Sequence, residues 1–191
     1  MISSEGSNTL LNFKIIKHMS CALTQDYNLD CRDNYGGLRT VFIMEFDNAT
    51  AITATAGVVS GITKATGKLF RKYNLIAHTG ESEDNLTTNR ENGSITVKQS
   101  VKFPINKMTV AVRNEIMLLA KNRLLIVVLD ENGTGWLFGK EYGLMLATAV
   151  GKSGKALADR NGFELAFDGD EKELALKVDD ATMATLQTAG T

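Results

Sequence analysis

The segment from residue 79 to residue 103 constrains the fold more strongly than any other part of the sequence. At its centre, Asn92-Gly93 predicts a tight turn, because this dipeptide tolerates the positive φ angles that short hairpin loops require. After the turn, every second residue belongs to a mostly apolar set and the residues between are polar, which is the period of a β-strand. That set consists of Ile95, Val97, Gln99, Val101 and Phe103. The segment therefore predicts a long extended β-hairpin.

The predicted hairpin is polar except on one face of its second strand. Such a hairpin buries too little apolar surface to be stable alone, so we expect it to lie against another surface. Pro104 is the only proline of the chain, and we expect it to end the second strand because proline has no N–H to donate. We also expect that Glu81–Ser100 can be deleted while the rest of the domain still folds.

One segment has the period of an amphipathic helix. Over residues 109–122, Val112, Ile116 and Leu119 fall on one face, and Thr109 is a suitable N-cap. Residues 143–157, rich in Gly, Ala and Lys, are expected to form a loop. The remaining β signals are short apolar or β-branched runs separated by turn residues. These runs are Leu38–Phe46, Val58–Thr63, Leu69–His78, Leu124–Asp130, Trp136–Gly139 and Phe163–Phe167.

Many strands and one main helix predict a mainly β (α+β) fold. We expect a β-sandwich or barrel with one main flanking helix and the long extended hairpin. The length of 191 residues suits a single domain of this kind. Its expected parts are an N-terminal arm over residues 1–20, a β domain over residues 21–178, and a C-terminal tail over residues 179–191 with a short helix.

Composition excludes several functional classes. Lys and Arg total 21 against 22 Asp and Glu, so the chain does not bind nucleic acid through bulk positive charge. Two cysteines are too few for a disulfide-stabilised scaffold. The N-terminus lacks the basic and apolar regions of a signal peptide, and no apolar run approaches the roughly 20 residues of a membrane helix. We therefore expect a protein made in a cytoplasm, with no membrane span.

Motifs for catalysis or metal binding are incomplete. Gly151-Lys152-Ser153 ends like a phosphate-binding loop, but Leu146 occupies a position where that loop requires glycine. His18, Cys21 and Cys31 supply fewer ligands than the four of a structural zinc site. We therefore predict no catalytic, cofactor-binding or metal-binding residues and no cofactor. An enzyme with a dispersed site is a less favoured alternative.

The stretch Leu118–Glu173 carries the turn pattern of a known group of proteins. It contains Asp130-Glu-Asn-Gly-Thr-Gly-Trp-Leu-Phe-Gly139 and Asp159-Arg-Asn-Gly-Phe-Glu-Leu-Ala-Phe-Asp-Gly169, in which an Asn-Gly turn precedes an aromatic strand. Farther upstream stand Cys21-Ala-Leu-Thr24 and Gly36-Gly37. With these features the sequence resembles the tail-tube-like virion proteins (tail-tube, tail-ring or collar subunits) of phages that infect Bacteroides-type bacteria, including crAss-like phages.

The resemblance implies a phage virion structural protein whose subunits form a closed ring, hexameric or higher, in the tail or tail collar. Such a ring makes part of the conduit for DNA ejection. The implied partners are further copies of the chain, neighbouring tail, portal or collar virion proteins, and passing DNA in transient non-specific contact. The implied location is the virion tail, after synthesis in the host bacterial cytoplasm. A capsid-decorating (auxiliary head) protein is the alternative.

In tail-tube-like proteins an extended hairpin joins the sheet of the neighbouring subunit. The resemblance therefore places the contacts between subunits on the predicted hairpin. The expected interface residues are Asn85, Thr87, Asn92, Gly93, Ile95, Val97 and Val101. Acidic residues of the hairpin are the candidates for facing the lumen of the ring, and they are Glu81, Glu83, Asp84 and Glu91.

Overall fold

The computed structural model describes residues 23, 25–27 and 34–190. The predicted N-terminal arm, together with His18, Cys21 and Cys31, lies outside the described residues. The fold of these residues is mainly β, with 52% of them in strands and 12% in helices, arranged as two sheets with one main helix. The predicted class, a mainly β sandwich-like fold, is confirmed.

The elements are numbered in chain order. The first six strands are β1 (Leu38–Glu45), β2 (Ala49–Thr55), β3 (Val58–Lys64), β4 (Arg71–Asn74), β5 (Glu81–Asn89) and β6 (Ser94–Asn106). The main helix, α1 (Val110–Leu119), follows β6. The remaining elements are β7 (Leu124–Asp130), β8 (Gly135–Phe138), β9 (Met145–Lys152), β10 (Gly162–Glu171), β11 (Leu176–Val178) and the short helix α2 (Asp180–Thr185).

The strands form a larger and a smaller sheet. The larger has seven strands in the order β2-β3-β11-β8-β7-β1-β4, and the smaller has four in the order β5-β6-β10-β9. In the smaller sheet all three neighbouring pairs are antiparallel. The predicted hairpin is present as β5 and β6, paired from Glu81↔Lys102 to Asn89↔Ser94. The ladder between β6 and β10 ends at Val97↔Glu171, so the tip of the hairpin extends past β10.

Two apolar cores lie on opposite faces of the larger sheet. The first fills the space between the sheets, where Ile126 of β7 and Val101, Phe103 and Phe167 of the smaller sheet are buried with Ile116 of α1. The second lies on the other face of the larger sheet. It combines residues of β1, β3 and β7 with Leu186, which follows α2. Because β7 contributes to both cores, its run of consecutive apolar residues is buried on both faces.

Strand β6 continues through Pro104, so the expected end at this residue is wrong. Pro104 pairs with Glu164 of β10 on one side, while β5 begins only at the level of Lys102. At Pro104 the strand is therefore a local edge, where a missing N–H costs no ladder hydrogen bond. Deletion of Glu81–Ser100 would remove all of β5 and the buried Val97 and Gln99 of β6, so the expectation of a separable hairpin is corrected.

Two other boundaries differ from those expected. Residues 145–152 form strand β9 rather than a loop, because β10 pairs with them from Met145↔Asp168 to Lys152↔Gly162. Helix α1 has the predicted N-cap, since the Val112 N–H donates to Thr109 Oγ1 at 3.2 Å. It ends at Leu119, earlier than residue 122, and the Asn122 side chain donates to the Leu118 carbonyl.

The C-terminal segment is part of the domain rather than a tail. Leu186, directly after α2, is buried in the second core. Lys64 Nζ donates to the carbonyl oxygens of Thr185 at 2.6 Å and Thr188 at 2.7 Å, which places a cation at the negative end of α2. Burial lowers the pKa of the Lys64 ammonium. The boundary expected at residue 178 is therefore corrected, since the core includes residues beyond it.

Candidate intersubunit surfaces

Within the part of the chain that the structure describes, the smaller sheet has two free edges, β5 and β9. An edge strand presents unpaired N–H and C=O groups, and natural proteins usually protect such edges with charge, proline or short length. Of the two edge strands of the larger sheet, β4 is protected in this way, because it has four residues and carries Arg71 and Lys72, whereas β2 has seven uncharged residues. β9 has eight residues, and Lys152 at its end is the only charged residue in it. The smaller sheet therefore has an edge that is open to pairing.

Five of the seven expected interface residues lie on the exposed part of the hairpin. Asn85 and Thr87 are exposed on the edge strand β5, and Asn92, Gly93 and Ile95 are exposed at the tip. The tip is ordered by its own side chains, since Asn92 Oδ1 accepts from the Ser94 N–H at 3.1 Å and from the Ser94 hydroxyl at 2.7 Å. These residues are placed where a neighbouring subunit can reach them.

The other two expected interface residues lie inside the subunit. Val97 and Val101 are 1% and 0% exposed, and Val101 belongs to the core between the two sheets. The alternation of β6 turns these side chains towards the larger sheet, so they are not available to a neighbouring subunit. For these two residues the interface assignment is corrected.

The expected lumen residues divide in the same way. Glu81 and Glu83 lie on the outer face of the smaller sheet, which is the face turned away from the larger sheet. Glu91 lies in the exposed turn. Asp84 pairs with the buried Gln99, so its side chain is on the inner face and its assignment to a lumen is corrected.

A polar network under the hairpin connects it to the rest of the subunit. Asp84 Oδ2 accepts from the Ala175 N–H at 2.8 Å. Gln99 Oε1 accepts from the Gly139 N–H at 2.9 Å, and its Nε2 donates to the Glu173 carbonyl at 3.3 Å. Because a side-chain amide buried to 98% must have its polar atoms paired, these bonds fix β6 against the loops after β8 and β10.

Asp84 is the strained member of this network. Its Oδ1 is buried and has no hydrogen-bond partner among the described residues. Burial raises the pKa of the Asp84 carboxyl, and the Ala175 N–H and the neighbouring Gln99 amide only partly offset this effect. Folding therefore favours the protonated form of Asp84.

We expect the stability of an Asp84→Asn variant, relative to the native protein, to rise with pH. A raised pKa gives a stabilising contribution that is complete below the unfolded-state pKa and is lost as pH rises through the folded-state pKa. Asparagine has no such loss. Thermal unfolding between about pH 3.5 and pH 8 measures the difference in Tm.

Asp159→Asn is the matched control for this measurement. The N–H groups of Ala156 and Lys155 lower the pKa of the Asp159 carboxyl, so this contribution is present above the unfolded-state pKa and is lost as pH falls. The relative Tm of Asp159→Asn should therefore fall as pH rises. A Tm difference for Asp84→Asn that does not change with pH would contradict the assignment.

The outer face of the smaller sheet carries paired charges in stripes. Lys102 Nζ lies 2.9 Å from Glu81 Oε1, and Lys98 Nζ lies 3.5 Å from Asp168 Oδ2. On the β9 side, Lys152 Nζ lies 2.7 Å from Glu164 Oε2. The hydrogen bond to Glu81 raises the pKa of Lys102, and the one from Lys152 lowers the pKa of Glu164. The face is thus strongly polar with opposite charges side by side.

The β9 edge is the feature that the sequence did not reveal. Met145 and Val150 are 55% and 46% exposed on it, next to residues as small as alanine and glycine. A strand of small residues lacks the clear alternation that identified β6, so only its pairing with β10 makes it visible.

No cluster of three or more His, Cys, Asp or Glu side chains suited to a metal ion occurs within the described residues. Among the helices of that same part of the chain, none has the length and apolar character to cross a membrane. No protein family, curated protein or solved structure matches the chain.

Proposed function

We propose that the chain is a phage virion structural protein that forms a closed ring, hexameric or higher, in the tail or tail collar. The ring makes part of the conduit for DNA ejection. One observation supports this above the others: a four-stranded sheet with one face covered by its own subunit and, at each edge, a long strand that no other described strand pairs with. A subunit built in this way is suited to extend its sheet into the next copy on both sides.

Strand direction favours closure by these two edges. The strands alternate in direction across β5-β6-β10-β9, so β5 and β9 run in opposite directions. Rotation about an axis that lies roughly along the strands keeps each direction unchanged. The β5 strand of a neighbouring copy therefore meets β9 antiparallel, and alternation continues around a ring of any size. Such a head-to-tail interface closes into a ring when the rotation closes.

The charges at the two edges are also complementary. Lys152 is the last residue of β9, while Glu81 and Glu83 are near the start of β5. Antiparallel pairing brings the end of one strand to the start of the other, so the lysine of one copy faces a glutamate of the next. The attraction between lysine and glutamate favours this antiparallel pairing of β9 with β5, although exposed ion pairs contribute only about 0–1 kcal/mol each.

The edges are offset along the strand direction. Met145 and Glu83 lie at the same level, since both are in line with the Asp168↔Ser100 pair. From that level β5 runs towards the tip of the hairpin, whereas β9 runs towards the opposite end of the sheet. Full pairing with a neighbour thus requires a shift of roughly one residue per strand, a stagger typical of closed barrels with tilted strands.

The outer face is the one that would line the conduit, because the inner face is buried in the first core. It carries Glu81 and Glu83 from the expected lumen set and also Lys98, Lys102 and Asp168. Lysines neutralised by adjacent acids bind the DNA backbone weakly, since affinity for phosphate depends on free positive charge. The surface suits DNA that must pass without being held.

Electron microscopy of the purified protein, with light scattering in solution, tests the proposal. Rings or tubes with a central channel are expected. Stable monomers that turn over a substrate would overturn the proposal in favour of an enzyme, and binding to capsids without ring formation would overturn it in favour of a capsid-decorating protein.

We expect a zero-length carbodiimide to link Lys152 of one copy to Glu81 or Glu83 of another. The reagent joins an amine to a carboxylate only at contact distance, and both possible glutamates lie at the paired end of β5. A mixture of isotopically light and heavy protein identifies links between copies by mass spectrometry. Lys152→Arg is the control, because it keeps the charge but removes the reactive amine. Links from Lys152 to Glu164 of its own copy alone would contradict the pairing.

A further inference from the structure

The two ends of the smaller sheet carry features that fit one another. At one end, residues 153–161 connect β9 to β10 and form an exposed loop, which we call the knob loop. At the other end, an open groove of about 540 Å³ lies between the first residues of β6 and β9 and the last residues of β10. We call it the end groove, and it is lined by Ile95, Thr96, Tyr142, Met145, Asp168 and Asp170. Strand β9 joins the two, since Met145 is its first residue and the knob loop follows its last.

The knob loop holds an apolar side chain out in solvent. Leu157 is fully exposed. Behind it, Asp159 Oδ2 accepts from the N–H groups of Lys155 and Ala156 at 2.7 Å each, which ties the loop to itself. Gly154 has a φ of +75°, and a Cβ there would lie 2.7 Å from Asp159 Cβ, so the turn requires glycine. The leucine is therefore presented by a loop with a defined shape.

The end groove is lined by large apolar side chains together with acidic residues and Lys172. Ile95, Tyr142 and Met145 are half exposed or more, an unusual grouping for large apolar side chains. Glu171 fixes the loop that carries Tyr142, because its carboxylate accepts the N–H groups of Glu141, Tyr142 and Gly143 at 2.9–3.2 Å. Lys172 lies over the Tyr142 ring, 5.3 Å from its centroid. The groove is thus shaped before any partner arrives.

The charges beside the two features are opposite. Lys155 and Arg160 flank Leu157, and Asp168 and Asp170 lie at the groove. Arg160 and Asp168 each have a partner at 3.5 Å or more within their own subunit, whereas Lys155 and Asp170 form no ion pair with any described residue. The Asp159 carboxylate is held by N–H groups of its own loop, and Lys172 lies over the Tyr142 ring and 3.9 Å from Glu141. The remaining charges, Lys155 beside Leu157 and Asp170 at the groove, are complementary.

We propose that Leu157 of one copy inserts into the end groove of a second copy of this chain. Because the knob loop and the end groove lie at opposite ends of β9, the contact is head-to-tail along the strands and does not close. Repeated, it stacks copies in the direction of the strands. This inference rests on the proposed ring, and it makes the ring a repeating unit of a tube rather than a single collar.

The test compares Leu157→Asp with the native protein in electron micrographs. Native rings are expected to form stacks. The Leu157→Asp variant is expected to give single rings with the native diameter and the native Tm, and the number of stacked rings should fall at least tenfold. Met117→Asp is the control, since Met117 is half exposed on α1 and belongs to neither feature. Its stacks should persist. Stacks that survive Leu157→Asp, or native rings that never stack, would overturn the knob contact and leave the ring proposal standing.

A cysteine pair gives a second readout that does not depend on the loss of assembly. Leu157→Cys and Met145→Cys are combined in a chain whose native Cys21 and Cys31 are changed to serine. A short bismaleimide is expected to join position 157 of one copy to position 145 of another, producing multimers larger than one ring. Each single cysteine variant should give no such multimers. Equal multimer formation by a single variant would contradict the contact, and the absence of any ring would instead contradict the proposed function.

Discussion

Replacement of Phe167 by alanine is expected to lower the free energy of unfolding by about 3–5 kcal/mol. Phe167 is fully buried between the two sheets, and its ring stacks on that of Phe103 with the centroids 5.6 Å apart. Truncation removes the burial of a large apolar side chain and leaves a cavity that rigid strands on both sides cannot close. Denaturant unfolding of the purified variant measures the loss.

Phe163→Ala is the matched control for this prediction. Phe163 lies on the same face of β10 but is only partly buried, at the border of the same core. Replacement of Phe163 by alanine should lower the free energy of unfolding by clearly less than Phe167→Ala does. Equal losses for the two variants would contradict the difference in burial between Phe167 and Phe163. A loss of under about 1 kcal/mol for Phe167→Ala would show that the smaller sheet does not form a common core with the larger one.

The alternation in the sequence predicted strand β6 but left its role open. A strict two-residue period shows that one face is buried, because burial is what selects apolar side chains at every second position. It does not show whether the covering surface belongs to the same subunit or to a neighbour, since both exclude water equally. The alternation is therefore compatible with the interface that the resemblance implies at Val97 and Val101, although both residues pack inside the subunit.

Other errors arose where the structure depends on distant residues. Strand β9 has no alternation of its own and exists because β10, residues 162–171, pairs with it. Pro104 is accepted inside β6 because β5 begins too late to pair with it. Leu157 stands in a segment whose composition is typical of a loop, and only the fold shows that it faces away from the core at the end of a sheet. Each case needs information on sequence-distant neighbours.

A proline in the middle of β9 is expected to prevent assembly of the proposed ring and to leave monomers. Proline removes one N–H and adds bulk at the edge, so a neighbour's β5 cannot complete the ladder. Ala149 and Val150 are adjacent, and their N–H groups point to opposite sides of the strand. One of the two proline replacements removes a backbone hydrogen bond to β10 and lowers the Tm. The other removes only the N–H that points away from β10, towards the proposed neighbour. The variant that keeps the native Tm is the informative one, and light scattering gives its oligomeric state.

Strand β2 provides the control, because Ala49–Thr55 is also a free edge without charge. Proline at Ile52 or Thr53 blocks that edge in the same way and should leave the ring intact. The comparison separates a specific use of β9 from a general effect of proline on an exposed strand. Rings that survive in the stable β9 variant would show that β9 is not the paired edge. Rings lost only in the β2 variants would move the interface to the larger sheet, because edge hydrogen bonds can support a ring only on the sheet that makes them.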